Sequence, residues 1–236
     1  MIVCWLPQSV VKLMRGIALI IGFLGGTGRE GTGLALRFGM ADKHVMIGSR
    51  KLEKARQIAG ELETIAPDMN VSGDLNEHVA ALSDIIFVTV PCSAHDSLLS
   101  PLTSILKEKI VVSTGSDLEY YRDNATTLTT QTKWNSVAEE IQYLLPESMV
   151  VSAFQNLSAA DLLDAQNTLY GDVVVCSDHN EAKVFIMGLI NLLYDLKPID
   201  GGDLCNSRYV EAMTWLLINI NRRYKIRSKL KIIGIP

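Results

Sequence analysis

The chain has 236 residues, 48% of them hydrophobic, and 22 Lys and Arg against 26 Asp and Glu give a formal net charge of −4. That length can bury a substantial core, and a mildly acidic balance argues against a general nucleic-acid or membrane-surface role. Cys4, Cys92, Cys176 and Cys205 lie far apart without a C-x-x-C, so they suggest neither a disulfide framework nor a zinc site, and a reducing, cytoplasmic compartment is expected.

Residues 1–13 read as an extension without inferred chemistry, apolar but broken by Pro7, Gln8 and Lys12. No uninterrupted apolar run reaches the roughly 18 residues of a membrane span. The positive charges follow the apolar stretch instead of preceding it, unlike a signal peptide, and Met14 is a candidate start. Ile17 to Leu24 has the β-branched, apolar character of a strand buried on both faces. Gly26, Gly28 and Gly31 then fit G-x-G-x-x-G, and Leu34 to Phe38 reads as the following helix. In that spacing the first glycine makes the tight turn and the second lets backbone approach a pyrophosphate. The third lets helix and strand pack closely, and the phosphates sit on N–H groups at the positive end of the helix.

His44 to Ile47 reads as a second strand ending in Gly48-Ser49-Arg50. An acid there would grip a ribose 2′-OH and repel a phosphate, whereas Ser and Arg accommodate a 2′-phosphate. Lys54 adds a cation one helical turn beyond Arg50, so NADP is expected over NAD. Leu52, Ala55, Ile58, Ala59 and Leu62 repeat at helical spacing. Ile85 to Val90 is a strand stopped by Pro91, Ser93 to Leu106 a helix and Ile110 to Val112 a strand; residues 113–133 form a polar loop. Val137 to Leu145 returns to helix and Met149 to Phe154 to strand. Val173 to Cys176 and Leu196 to Ile199 are strands around a helix through Ile186 and Leu193, and Leu204 to about Tyr224 closes the chain as a helix.

This alternation predicts an α/β fold, a Rossmann-type doubly wound parallel sheet with a smaller C-terminal α/β portion. The expected division is 14–155 for the nucleotide-binding domain and 156–236 for the smaller one. Ligands bind outside the carboxyl ends of such strands. The glycine turn, Gly48-Ser49-Arg50, Thr89-Val90-Pro91 and Ser113 to Asp117 all fall there, in one expected cleft.

These segments also resemble a known family. Gly25-Gly26-Thr27-Gly28, Gly31-x-Gly33-Leu34-Ala35-Leu36-Arg37, Ile47-Gly48-Ser49-Arg50, Thr89-Val90-Pro91 and Val150 to Phe154 are similar to the NADPH-dependent reductases of the 5-deazaflavin coenzyme F420. Pro198-Ile199-Asp200, Asn206-Ser207-Arg208-x-Val210-Glu211 and Leu216 to Asn219 extend the likeness to the C-terminus. The resemblance implies reversible, direct hydride transfer between C4 of nicotinamide and C5 of the deazaflavin, with the C-terminal portion completing the coenzyme pocket. It implies that Thr27, Gly28, Arg29 and Glu30 line the pyrophosphate and that Ser49, Arg50 and Lys54 hold the 2′-phosphate. It implies that Val90, Ser116 and Ala159 lie near the nicotinamide half and that Gln155 and Leu157 flank the deazaflavin. Two departures stand out: Gln155 replaces a His common in the family, and 113–117 lacks the family's prolines. An amide can hydrogen-bond a ring carbonyl but cannot titrate. A flavin or ferric reductase, and a non-catalytic NADP(H) sensor, are the alternatives.

No side chain stands out as an acid or base, which suits hydride transfer, since the cofactors carry the reactive chemistry. His44 reads as structural. His78, His95 and His179 are scattered, with neither i, i+4 pairing nor a carboxylate at ligand spacing, so no metal site is expected. Cys92 reads as a wall residue, and Asp200 and Asp203 as turn residues. Arg222, Arg223, Lys225, Arg227, Lys229 and Lys231 read either as a solvated helix end or as a landing site for the coenzyme's anionic tail. Trp215, Leu216 and Leu217 on the last helix point to a homodimer.

Overall fold

The computed structural model describes residues 19–116 and 134–235; the extension at 1–13, Met14, Ile17 and most of the polar loop, including Asp117, lie outside them. In chain order the first half runs β1 (Ile20–Leu24), α1 (Arg29–Met40), β2 (His44–Ser49), α2 (Leu52–Ile65), β3 (Val71–Leu75), α3 (Asn76–Leu82) and β4 (Ile85–Val88). It continues through α4 (His95–Leu99), α5 (Thr103–Leu106) and β5 (Ile110–Ser113). After the loop come α6 (Val137–Leu144), β6 (Met149–Ser152), α7 (Ala159–Leu163), β7 (Gly171–Val175), α8 (Asn180–Ile190), β8 (Leu196–Asp200) and α9 (Ser207–Tyr224).

β1 to β6 form one parallel sheet in the order β3-β2-β1-β4-β5-β6. The order reverses between β1 and β4, which opens a crevice at their carboxyl ends. β7 and β8 form a second, parallel pair, joined to the first sheet by an antiparallel bridge between Ser152 and Cys176. Helices cover both faces, so β4 and β5 are buried at every position, which is why they read as unbroken apolar runs. Phe23, Phe38, Phe87 and Phe154 stack between the sheet and α1, with neighbouring ring centroids 5.0–6.5 Å apart. Phe154 sits at φ 76° just past β6, a left-handed turn held in place by a fully enclosed ring.

Three elements differ from expectation. β3, Val-Ser-Gly-Asp-Leu, is an edge strand with only its first residue buried, so it carries no apolar run to read. The expected helix from Ser93 to Leu106 is four short pieces, with 3-10 turns at Cys92–Ala94 and Ser100–Leu102. Pro101 cannot donate to a helix ladder and breaks it. The short α7 went unforeseen; Ser158 caps it, and α1 docks on it through Arg37, whose guanidinium donates to the carbonyls of Leu162 (2.8 Å), Asp161 (2.6 Å) and Asp164.

The C-terminal segment folds back onto β7. Asp172 receives the Ile232 N–H and the Lys231 ammonium, while Arg227 reaches Asp161 at 2.8 Å and Lys229 the same carboxylate at 3.8 Å. Arg227, Lys229 and Lys231 of the basic run are therefore paired within the chain.

Candidate functional site

The first turn of α1 sets the site. Gly25 turns the chain out of β1 at φ 72°, where a side chain would also collide with Val90. The turn is tied down by Gly25 N–H to the Asn76 side chain (3.1 Å), by Thr32 Oγ1 to Gly26 O (2.9 Å), and by Thr89 Oγ1 to Leu24 O (2.9 Å). A Cβ on Gly31 would strike Thr89 Oγ1 and Gly26 Cα at under 3 Å, so only glycine lets helix and strand approach this closely. Gly28 is the N-cap of α1 and offers no capping side chain, leaving the first-turn N–H groups without intrahelical acceptors. A Cβ there would meet only backbone oxygens, at 3.7 and 4.0 Å, so the turn opens onto free space.

That space is a cavity of about 790 Å³ at the carboxyl ends of β1, β2 and β4. Gly25, Thr27, Gly28, Ser49, Arg50, Lys54 and Val90 line it, together with Asn76 and Thr89. Ser49 is buried and accepts the Lys51 N–H at 3.2 Å, shaping the turn that presents Arg50; Arg50 and Lys54 are exposed at the rim. Volume, cation placement and bare N–H groups suit a dinucleotide with its phosphates at the helix end. Sequence reasoning missed Asn76, because one Asn after a weak edge strand carries no pattern.

Arg29 and Glu30 open α1 beside the cavity, Arg29 exposed and Glu30 half-buried. Burial pushes the Glu30 carboxyl up to about 7, against a hydrogen bond from Thr114 that holds it lower. Ser116 follows β5, and Leu157 packs against the main core. Ala159 opens α7. Gln155 is buried, its amide donating to Ser113 O (3.2 Å) and Ser152 Oγ (2.7 Å). Its Oε1 and the hydroxyls of Ser113 and Ser116 are buried polar atoms without a partner among the described residues. Ser116, Gln155, Leu157 and Ala159 follow β5 and β6 in the chain and do not line the 790 Å³ cavity. A second cleft of about 320 Å³, between Arg37 and the 165–169 and 192–195 loops, is remote from the glycine turn.

The histidines have partners that spacing had concealed. His78 meets Asp74, four residues earlier, at 3.1 Å on the surface, which corrects the expectation of no i, i+4 partner. His95 is buried, its Nδ1 3.7 Å from Glu140, and burial lowers its pKa against the Glu140 charge and a hydrogen bond with the Val90 backbone. Asp200 accepts the Gly202 N–H at 2.8 Å within its turn, and it pairs with Lys183.

Residues 20–117 match a family model described as NADP oxidoreductase, coenzyme F420-dependent. The chain is 39% identical over 212 residues to the F420-dependent NADP reductase of Methanocaldococcus jannaschii, covering 88% of this chain and 95% of that one. It is 32% identical over 229 residues to the F420-dependent NADP reductase of Methanothermobacter thermautotrophicus, covering 95% and 99%. Among solved structures, a putative F420-dependent NADP reductase from Arthrobacter sp. FB24 superposes with a TM-score of 0.74 at 22% identity, over 92% of this chain and 100% of that one. That likeness establishes the fold.

Proposed function

Because the chain belongs to the family of coenzyme F420-dependent NADP oxidoreductases, we propose that it transfers hydride directly and reversibly between NADP(H) and coenzyme F420. The observation that carries this reading is the cavity that begins at the bare N-terminus of α1 and ends on Ser49, Arg50 and Lys54. The two coenzymes supply the hydride donor and acceptor carbons; the chain's task is to bind, align and shield them. Thr27, Gly28, Arg29 and Glu30 line the pyrophosphate, with the first-turn N–H groups of α1 turned toward it and Gly26 and Gly28 giving close approach. Arg50 and Lys54 neutralise the 2′-phosphate, with Ser49 adding a hydroxyl. Val90 walls the nicotinamide half, with Ser116 and Ala159 on the β5 and α7 side. Gln155 and Leu157 border the deazaflavin, where buried Gln155 Oε1 is an available acceptor.

In this reading residues 14–155 carry the nucleotide and 156–236 complete the coenzyme pocket. The enzyme works in the cytoplasm as a homodimer through α9. Only Ser207, Val210 and Glu211 of that 18-residue helix are buried, and Leu216 is 58% exposed. No helix among the described residues is long and apolar enough to cross a membrane. Mixing the purified protein with NADPH and oxidised coenzyme F420 should bleach the deazaflavin absorbance. Faster reduction of free flavin or ferric chelate would indicate a different acceptor, and NADPH binding without transfer to any acceptor would indicate a sensor.

A further inference from the structure

The second cleft, about 320 Å³, lies toward the far end of α1 from the nucleotide site. Arg37, which lines it, stands nine residues past Gly28, roughly 14 Å along the helix axis. The cleft shares no lining residue with the 790 Å³ cavity. Ala41, Ala165, Leu169 and Leu193 give it apolar walls, with Asn167 and Thr168 as neutral polar groups. Apolar walls around few polar groups are the make-up of small-molecule pockets, and its size falls low in their range of about 300–1,000 Å³.

Arg37 supplies the cleft's cation. The residue is buried, its Nε–H donates to Leu162 O at 2.8 Å, and Nη2 is spent on the carbonyls of Asp161 and Asp164. Nη1 has no acceptor among the described residues, yet it is not one of the unpartnered polar atoms sealed from solvent. Its two N–H donors therefore open into the cleft that Arg37 lines. We propose that this cleft binds a small organic anion, a carboxylate with an apolar body. Its oxygens take the Nη1 donors and its body lies against Leu169 and Leu193. A carboxylate matches the planar guanidinium, and the apolar body accounts for the walls.

The chain's own acids leave room for that anion. Asp161 and Asp164 act on the guanidinium only as charges at a distance, and no carboxylate among the described residues pairs with it. Asp161 is engaged by Arg227 and Lys229. Asp164 is exposed, its Oδ1 accepting the Gln166 N–H at 3.2 Å. Asp195, the one acid lining the cleft, is also exposed, where water and salt screen it. A buried cation without a contacting anion is costly, and an anion brought to it offsets that cost.

The test titrates the full chain with hexanoate, hexan-1-ol and inorganic phosphate, following the backbone amide signals of Asn167, Leu169 and Leu193 by NMR. Hexanoate should shift those signals saturably and bind roughly ten- to a hundredfold more tightly than hexan-1-ol, the difference expected of charge-assisted hydrogen bonds. Phosphate, an anion without an apolar body, should bind more weakly than hexanoate, and NADPH should not displace hexanoate. Arg37→Met should erase the preference for hexanoate over hexan-1-ol. Because Arg37 also ties α1 to α7, Ala165→Phe is the second variant; it fills the cleft, keeps the guanidinium, and should weaken hexanoate and hexan-1-ol alike. Hexanoate bound no more tightly than hexan-1-ol, or phosphate bound more tightly than hexanoate, overturns the proposal. So do shifts that bypass the three amides, displacement by NADPH, or hexanoate affinity unchanged in Ala165→Phe. The wild-type comparison is decisive even if neither variant folds.

Discussion

The Glu211 carboxylate, on α9, accepts the backbone N–H of Val137 at 3.0 Å and that of Ala138 at 3.3 Å, so the last helix caps the first turn of α6. Ser136 takes the Glu139 N–H at 3.1 Å, and three orphan donors of α6 are thereby satisfied. The carboxylate is buried, and its contacts give the Asn206-Ser207-Arg208-x-Val210-Glu211 motif a structural role. Glu211→Ala should cost about 2–4 kcal/mol by stranding two buried N–H groups, with Glu211→Gln costing less because one acceptor survives. Urea unfolding measures both; a loss under about 0.5 kcal/mol for the alanine variant would show that the cap is idle.

Arg50 should govern cofactor choice. Charge-assisted hydrogen bonds to the 2′-phosphate are worth about 1.5–3 kcal/mol, so Arg50→Ala should weaken NADPH binding roughly ten- to a hundredfold. NADH lacks that phosphate and should bind almost unchanged. Equal loss for both nucleotides would place Arg50 on the pyrophosphate or in the fold.

Glu30 should also leave a mark on stability. The folded state keeps its proton up to about 7, whereas the unfolded chain releases it near 4.5. Wild-type stability therefore falls as pH rises between those values and levels off above the upper one. Glu30→Gln should gain about 1–3 kcal/mol on the wild type between pH 4 and pH 8. A difference independent of pH would show that the side chain is solvated.

Asp172 should control the C-terminal tail. Burial raises its pKa, but the Ile232 N–H and the Lys231 ammonium outweigh burial and leave it lowered. A lowered acid stabilises above its ordinary value and loses that contribution as pH falls through the folded one. Amide exchange at Ile232 should thus accelerate below about pH 3.8 in the wild type, and already at neutral pH in Asp172→Asn. Unchanged exchange in the variant would mean that apolar packing alone holds the tail.

The parallel sheet was legible because buried strands such as Ile85–Val88 and Ile110–Ser113 are continuous apolar runs between helical repeats. That the glycine turn and Ser49-Arg50 line one cavity was legible because glycine spacing and the Ser-Arg pair carry their chemistry locally. β3 was not, since an edge strand containing Gly73 and Asp74 buries too little to need a pattern. Partners far apart in sequence were equally hidden. Asn76 with Gly25, Glu30 with Thr114 and Glu211 with Val137 are products of topology, which single residues do not announce.

The central claim is direct hydride transfer between the two coenzymes, and isotope transfer tests it most directly. NADPH deuterated at C4 of the nicotinamide on the transferred face should deliver its deuterium to C5 of the deazaflavin in ordinary water, with one label gained per NADPH oxidised. Since the stereochemical face is open, each C4 epimer is tested, and one of the two should transfer. Reduced deazaflavin carrying solvent hydrogen at C5 with both epimers, or no reduction while NADPH remains bound, would contradict the account.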